Sequence, residues 1–145
     1  MTEITFHFNT PDKLNYAVRL LRKAVKSGAR VVVSGADDQL AQLDALLWSF
    51  SPEDFFAHGF HDASPEVVSA SPVLLGLPAT FAPSGGLAHP VLVNLGMPVP
   101  SGFERFERLI ELVGRDPDDR LPARDRWKHY ASRGYELKRH DVADH

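Results

Sequence analysis

Residues 4–35, ITFHFNTPDKLNYAVRLLRKAVKSGARVVVSG, decide the fold class. Ile4 to Phe8 alternates apolar side chains with polar or histidine ones and halts at Asn9-Thr10-Pro11, the pattern of a β-strand. Thr10 is placed to cap the helix that follows, and Pro11 suits its first position because a first-turn N–H has no helical partner to lose. Leu14, Ala17, Val18, Leu21, Ala24 and Val25 then recur at helical spacing until Gly28 stops the run. Arg30-Val31-Val32-Val33 is short, β-branched and bounded by Gly28 and Gly35, as a strand buried on both faces of a parallel sheet must be. The stretch is a β-α-β unit, with the right-handed crossover such units take.

Outward from this unit, Asp37 or Ser34 caps a second helix whose Leu40, Leu43 and Leu47 form a buried stripe ending at Trp48. Ser51-Pro52-Glu53-Asp54 breaks it. Phe55 to Phe60 reads as a short aromatic strand or turn, and seven prolines between Pro65 and Pro100 punctuate a middle region in which Val73 to Leu77 and Val91 to Leu95 are the strand candidates. Residues 82–87 form a turn between them. A short helix is expected over Gly102 to Glu107, a strand over Leu109 to Gly114, and a last helix capped by Asp118 or Asp119, with Pro122 in its first turn and Gly134 as its left-handed terminator. Tyr135 to Arg139 reads as an edge strand.

A chain of 145 residues, 43% hydrophobic, is long enough for one core that buries roughly two-thirds of the unfolded surface. No apolar run approaches the ~18 to 20 residues of a membrane span, and the N-terminus lacks the basic and apolar regions of a secretory signal, so a cytoplasmic protein is expected. Without cysteine there is no disulfide framework, thiolate metal site or thiol nucleophile. The net charge of -3 is unevenly spread. Residues 120–140 carry seven basic side chains (Arg120, Arg124, Arg126, Lys128, Arg133, Lys138, Arg139) against Asp125 and Glu136, which suggests a surface that meets something acidic or else a solvated helix face.

The motifs of catalysis are missing. The first strand-to-helix turn, Asn9-Thr10-Pro11-Asp12, has no glycine to admit a phosphate and a proline that removes a donor, and the second carries two carboxylates that repel one. No Walker lysine motif or G-x-S-x-G elbow occurs. His58 and His61, with Asp62 beside them, are two ligands where zinc takes three or four. A small metal-dependent enzyme built on them is the alternative they leave open. No cofactor is expected.

Two constellations carry more. Leu46-Leu47-Trp48 is followed after six residues by Phe55 and Phe56, which places Trp48 and Phe55 at one end of the sheet as a docking patch or as core. Arg120, Arg124 and Trp127 stand at i, i+4 and i+7 of the last helix and share a face. Two guanidinium forks beside an indole can grip a carboxylate and an apolar neighbour together, with Leu137 and Arg139 walling the other side. The same face could instead stack unpaired bases on Trp127, as a direct single-stranded DNA-binding module would, or be an exposed basic helix with its tryptophan turned inward.

At these constellations the chain resembles the chi subunit of bacterial DNA polymerase III, an accessory subunit of the clamp loader. The resemblance runs through Phe6-x-Phe8, Ser27-Gly28-Ala29-Arg30-Val31, Leu43-Asp44-x-x-Leu47-Trp48, Phe55, His58-Gly59, Pro72-Val73-Leu74-Leu75, Val91 to Leu95, Ala123-Arg124-Asp125-Arg126, Tyr130, Gly134 and Tyr135. It implies one chi-like domain over residues 1–145, a three-layer Rossmann-like α/β fold with a mostly parallel central sheet, helices on both faces and no nucleotide-binding loop. It also implies an adaptor without catalytic activity of its own, working in DNA replication within a DNA-directed DNA polymerase complex. Such proteins bind the acidic C-terminal tail of single-stranded DNA-binding protein, which ends in an apolar residue and a free carboxylate. Carried over, Arg120, Arg124, Trp127, Gly134, Leu137 and Arg139 line that site, while Trp48 and Phe55 receive the small psi subunit or, in some relatives, a helicase. Ala57 departs from the family's pattern, standing where a proline commonly precedes the histidine.

Overall fold

A computed structural model describes residues 2–49, 58–60, 73–76, 90–96, 98–99 and 103–142. The described strands are β1 (Glu3–Thr10), β2 (Val31–Ser34), β3 (His58–Phe60), β4 (Val73–Leu75), β5 (Val91–Asn94), β6 (Arg108–Gly114) and β7 (Leu137–Asp141). They form one sheet in the order β3-β4-β2-β5-β6-β1-β7, and every neighbouring pair is parallel. The described helices are α1 (Lys13–Lys26), α2 (Asp37–Ser49) and α3 (Pro117–Ser132), with a 3-10 turn over Phe103–Arg105. The expected α/β architecture is present.

Strand alternation divides the core between the two faces of the sheet. Val31, Val33, Val91, Val93, Ile110 and Leu112 point to one side, where Ala17, Val18 and Leu21 of α1 and Leu40, Leu43 and Leu47 of α2 cover them. Ile4, Phe6, Val32, Leu74, Leu92 and Leu109 point to the other, beneath Ala123 and Tyr130 of α3. The central strands are therefore apolar on both faces, which is why Val31-Val32-Val33 shows no alternation in sequence.

Several boundaries differ from the expectation, each for a local reason. The cap of α1 is Asp12, whose carboxylate accepts from the Asn15 N–H at 3.2 Å. Thr10 instead ends β1, with its hydroxyl donating to the His7 carbonyl. At the start of α2 neither Ser34 nor Asp37 caps: Ser34 is buried in β2, and the Gln39 side chain reaches back to accept from the Ala36 N–H at 3.1 Å. Helix α3 begins a turn earlier than expected, at Pro117, so Pro122 lies in its second turn and leaves a carbonyl on an exposed flank to solvent. Gly134 does follow the helix in left-handed conformation, φ 85°. Strand β7 is an edge strand as expected, although it starts at Leu137. Residues 82–87 lie outside the described residues.

Candidate functional site

Strands β1 and β6 are neighbours, yet α1 leaves the end of β1 over one face while α3 leaves the end of β6 over the other. Parallel sheets open a crevice where successive crossovers diverge in this way. In this chain a clasp crosses the crevice: the Lys13 ammonium donates to the Leu95 carbonyl at 2.7 Å and to Asp119 at 2.8 Å, and Asp119 also accepts from the Gly114 N–H. Asp119 is thus a tie between α3 and β6, where sequence suggested a helix cap.

Beside the clasp, on the α3 side, lies a cavity of about 520 Å³ lined by Phe6, Phe8, Asn9, Val113, Arg120, Ala123, Arg124, Trp127 and Arg139. The spacing of α3 builds one wall: Arg120, Arg124 and Trp127 share a face, and Ala123 is small enough to leave room between them and the sheet. The Trp127 indole meets the Phe6 ring edge-on, centroids 5.0 Å apart, which fixes it as a side of the cavity while leaving it half-buried. Phe6 and Phe8 form the floor, and the Arg139 guanidinium lies over the Phe8 ring at 5.1 Å. Asn9, in left-handed conformation at φ 61°, closes the end and is held on both sides, donating to Asp141 and accepting from Arg115.

The cavity therefore joins an aromatic floor to three arginines, of which Arg120, Arg124 and Arg139 are all exposed. Guanidinium groups present paired donors that match a carboxylate, and an apolar floor takes a side chain that water does not hold back. The geometry fits a ligand with a carboxylate next to an apolar group.

Of the residues singled out from sequence, Arg120, Arg124, Trp127 and Arg139 meet at this cavity. Gly134 and Leu137 do not line it: Gly134 is exposed at the end of α3, and Leu137 packs against the apolar cluster under that helix. Phe6, Phe8 and Asn9 were legible as a strand and a turn, but which strand faces α3 depends on pairings that no local pattern carries. The basic run is also less of a surface than its count suggests. Arg126 is 3% exposed and its Nε donates to Glu111 at 3.0 Å, while Lys138 pairs with Glu3.

Trp48 is 60% exposed at the end of α2, so it is a surface residue, and Phe55 lies outside the described residues. His58 belongs to the edge strand β3, whereas His61 and Asp62 are outside the described residues. Among the described residues no group of three histidines, aspartates or glutamates comes together to hold a metal. No helix among them is long and apolar enough to cross a membrane.

Residues 1–138 match the family described as DNA polymerase III chi subunit, HolC. Among curated proteins the chain is 34% identical to the DNA polymerase III subunit chi of Pseudomonas aeruginosa, over 97% of this chain and 96% of that one. It is 23% identical to the DNA polymerase III subunit chi of Haemophilus influenzae, over 87% of this chain and 85% of that one. A family match of this extent, together with a relative of this identity over nearly the full length of both chains, shows that the chain belongs to the DNA polymerase III chi subunit family.

Proposed function

We propose that this chain is a non-catalytic adaptor of the replication machinery, working in the cytoplasm, whose α3 cavity captures the acidic C-terminal tail of single-stranded DNA-binding protein. The observation that carries the reading is the union of three exposed arginines with the Phe6–Phe8–Trp127 floor in one cavity. A peptide ending in an apolar residue supplies both halves of the match in its last position, because the side chain and the terminal carboxylate leave the same carbon. Arg124, in the middle of the α3 wall, is assigned to the carboxylate, and the rings to the side chain. The volume lies within the roughly 300 to 1,000 Å³ usual for small-ligand clefts, enough for a terminal residue and part of its neighbour. The exposed Trp48, with Phe55, is assigned to the tether, a psi subunit or another clamp-loader protein, or to a competing helicase.

The test is a titration with a fluorescent peptide copying the tail of the same organism's single-stranded DNA-binding protein, beside a peptide lacking its last two residues. The full peptide alone should bind. Arg124→Ala and Trp127→Ala should each weaken it by about 1 to 3 kcal/mol with the thermal midpoint retained, as the loss of a charge-assisted contact or an aromatic anchor does. Equal binding of both peptides, or unchanged affinity in both variants, would remove the assignment.

A further inference from the structure

The opposite side of the sheet carries a second basic surface that the tail reading does not use. Residues 13–30 contain six lysines and arginines and no acidic residue, in a chain of net charge -3. Its apolar stripe is buried and Lys13 belongs to the clasp, so Arg19, Lys23 and Lys26 are the bases exposed on the outer face of α1. Tyr16, Arg19 and Lys23 recur at i, i+3 and i+7 and form the row nearest β1. The Tyr16 hydroxyl is hydrogen-bonded to His7 Nδ1, and the two rings meet edge-on at 5.8 Å.

Beyond His7 the row continues onto the sheet. The His140 ring of β7 lies against that of His7, centroids 5.1 Å apart. Arg108, exposed at the start of β6, stands close enough to join His140 in disfavouring a proton on His7, whose pKa falls to about 4 chiefly through burial. The acidic groups nearby already have cationic or backbone partners: Asp12 caps α1, and Glu3 binds Lys138 and lies in register with Arg108, whose charge also helps to lower its pKa. The result is a strip in which the Tyr16, His7 and His140 rings lie between Arg19 and Lys23 of α1 on one side and Arg108 of β6 on the other.

We propose that this strip binds single-stranded nucleic acid, with phosphates on Arg19, Lys23 and Arg108 and a base stacked on the ring cluster. Positive groups interleaved with aromatic rings are what an unpaired strand needs, because its backbone carries regular charge and every base offers a π-face. An acidic peptide would use the charges but leave the rings idle. The negative charge of the whole molecule is no obstacle, since charges more than about 8 Å away are screened at physiological salt and the strand feels the local field. The proposal stands independently of the tail pocket, which lies on the other face of the sheet.

The experiment is fluorescence anisotropy of a labelled oligothymidine of about 15 nucleotides, a length that covers a site of ordinary size. Three phosphate contacts predict that log affinity falls with log salt at a slope of about -2. Arg19→Glu/Lys23→Glu, two exposed positions, should weaken binding about tenfold or more and flatten the slope by about 1.4. His140→Ala should weaken binding at least fivefold with the slope unchanged, which separates stacking from charge. Both variants should keep the circular dichroism spectrum and the tail-peptide affinity of the parent. No binding at low salt, indifference to the double variant, displacement by the tail peptide, or equally strong displacement by polyglutamate would each overturn the proposal; the last would assign the strip to an acidic protein.

Discussion

Glu111 shows what a single buried charge can organise. It is fully buried in β6, yet each carboxylate oxygen is occupied: Oε1 by Arg126 Nε at 3.0 Å, and Oε2 by the Tyr130 hydroxyl at 2.6 Å and Asn94 Nδ2 at 3.2 Å. Burial pushes its pKa up against the pull of Arg126, and burial together with the Glu111 charge pushes the Tyr130 hydroxyl up as well. Because Arg126 and Tyr130 flank Arg124 and Trp127 on α3, the carboxylate also sets the rotation of the helix that walls the cavity. Glu111→Ala should cost about 3 to 5 kcal/mol in urea unfolding, since it strands a buried guanidinium that already has one nitrogen, Nη2, without a partner among the described residues. Glu111→Gln keeps an acceptor for Tyr130 and should cost clearly less. Equal losses for the two would mean that volume, and not charge pairing, holds α3. Nothing in sequence separates Arg126 from its basic neighbours, because its burial depends on a carboxylate fifteen residues away on a different element.

Among the elements, the end of α3 offers the cleanest measurement. Gly134 has φ 85°, and a Cβ built there meets nothing within 4 Å, so any substitution cost is conformational and not steric crowding with neighbours. Gly134→Ala should lower stability by about 1 to 2 kcal/mol and Gly134→Asn by less, since asparagine visits the left-handed region more readily; thermal unfolding of the pair checks it. This terminator was legible because a left-handed C′ position selects glycine. So were β1, α1 and β2, whose periodicities change from two to helical to unbroken apolar. Caps were read less well: Thr10, Asp37 and Ser34 are all capping types, and the choice of Asp12 and Gln39 turns on a residue or two of strand length. The face shared by Arg120, Arg124 and Trp127 was readable because one helix carries all three. The floor of Phe6 and Phe8 was not, since it exists only through the pairing of β1 with strands more than a hundred residues away.

At the scale of the whole molecule, the half-buried His7 couples stability to acidity. Its ring stays neutral in the folded chain down to about pH 4, against 6.5 for the free side chain. The depressed value means full stability above pH 6.5 and a loss as pH falls towards 4, because the unfolded chain then binds a proton that the folded chain refuses. The loss should amount to about 1 to 2 kcal/mol once solvent screening of a partly exposed ring is allowed for, and His7→Gln should abolish that part of the pH profile measured by chemical denaturation between pH 7 and 4. A profile identical in parent and variant would place the acid sensitivity elsewhere. The sheet order has a further consequence. Strand β1 is flanked on both sides by β6 and β7, which follow it by about a hundred residues or more. During translation the Phe6–Phe8 floor therefore waits for α3 to bring Arg120 and Arg124, and then for β7 to bring Arg139. Copies that terminate before α3 carry the floor without its walls, so a fully walled cavity reports that synthesis has passed Arg139.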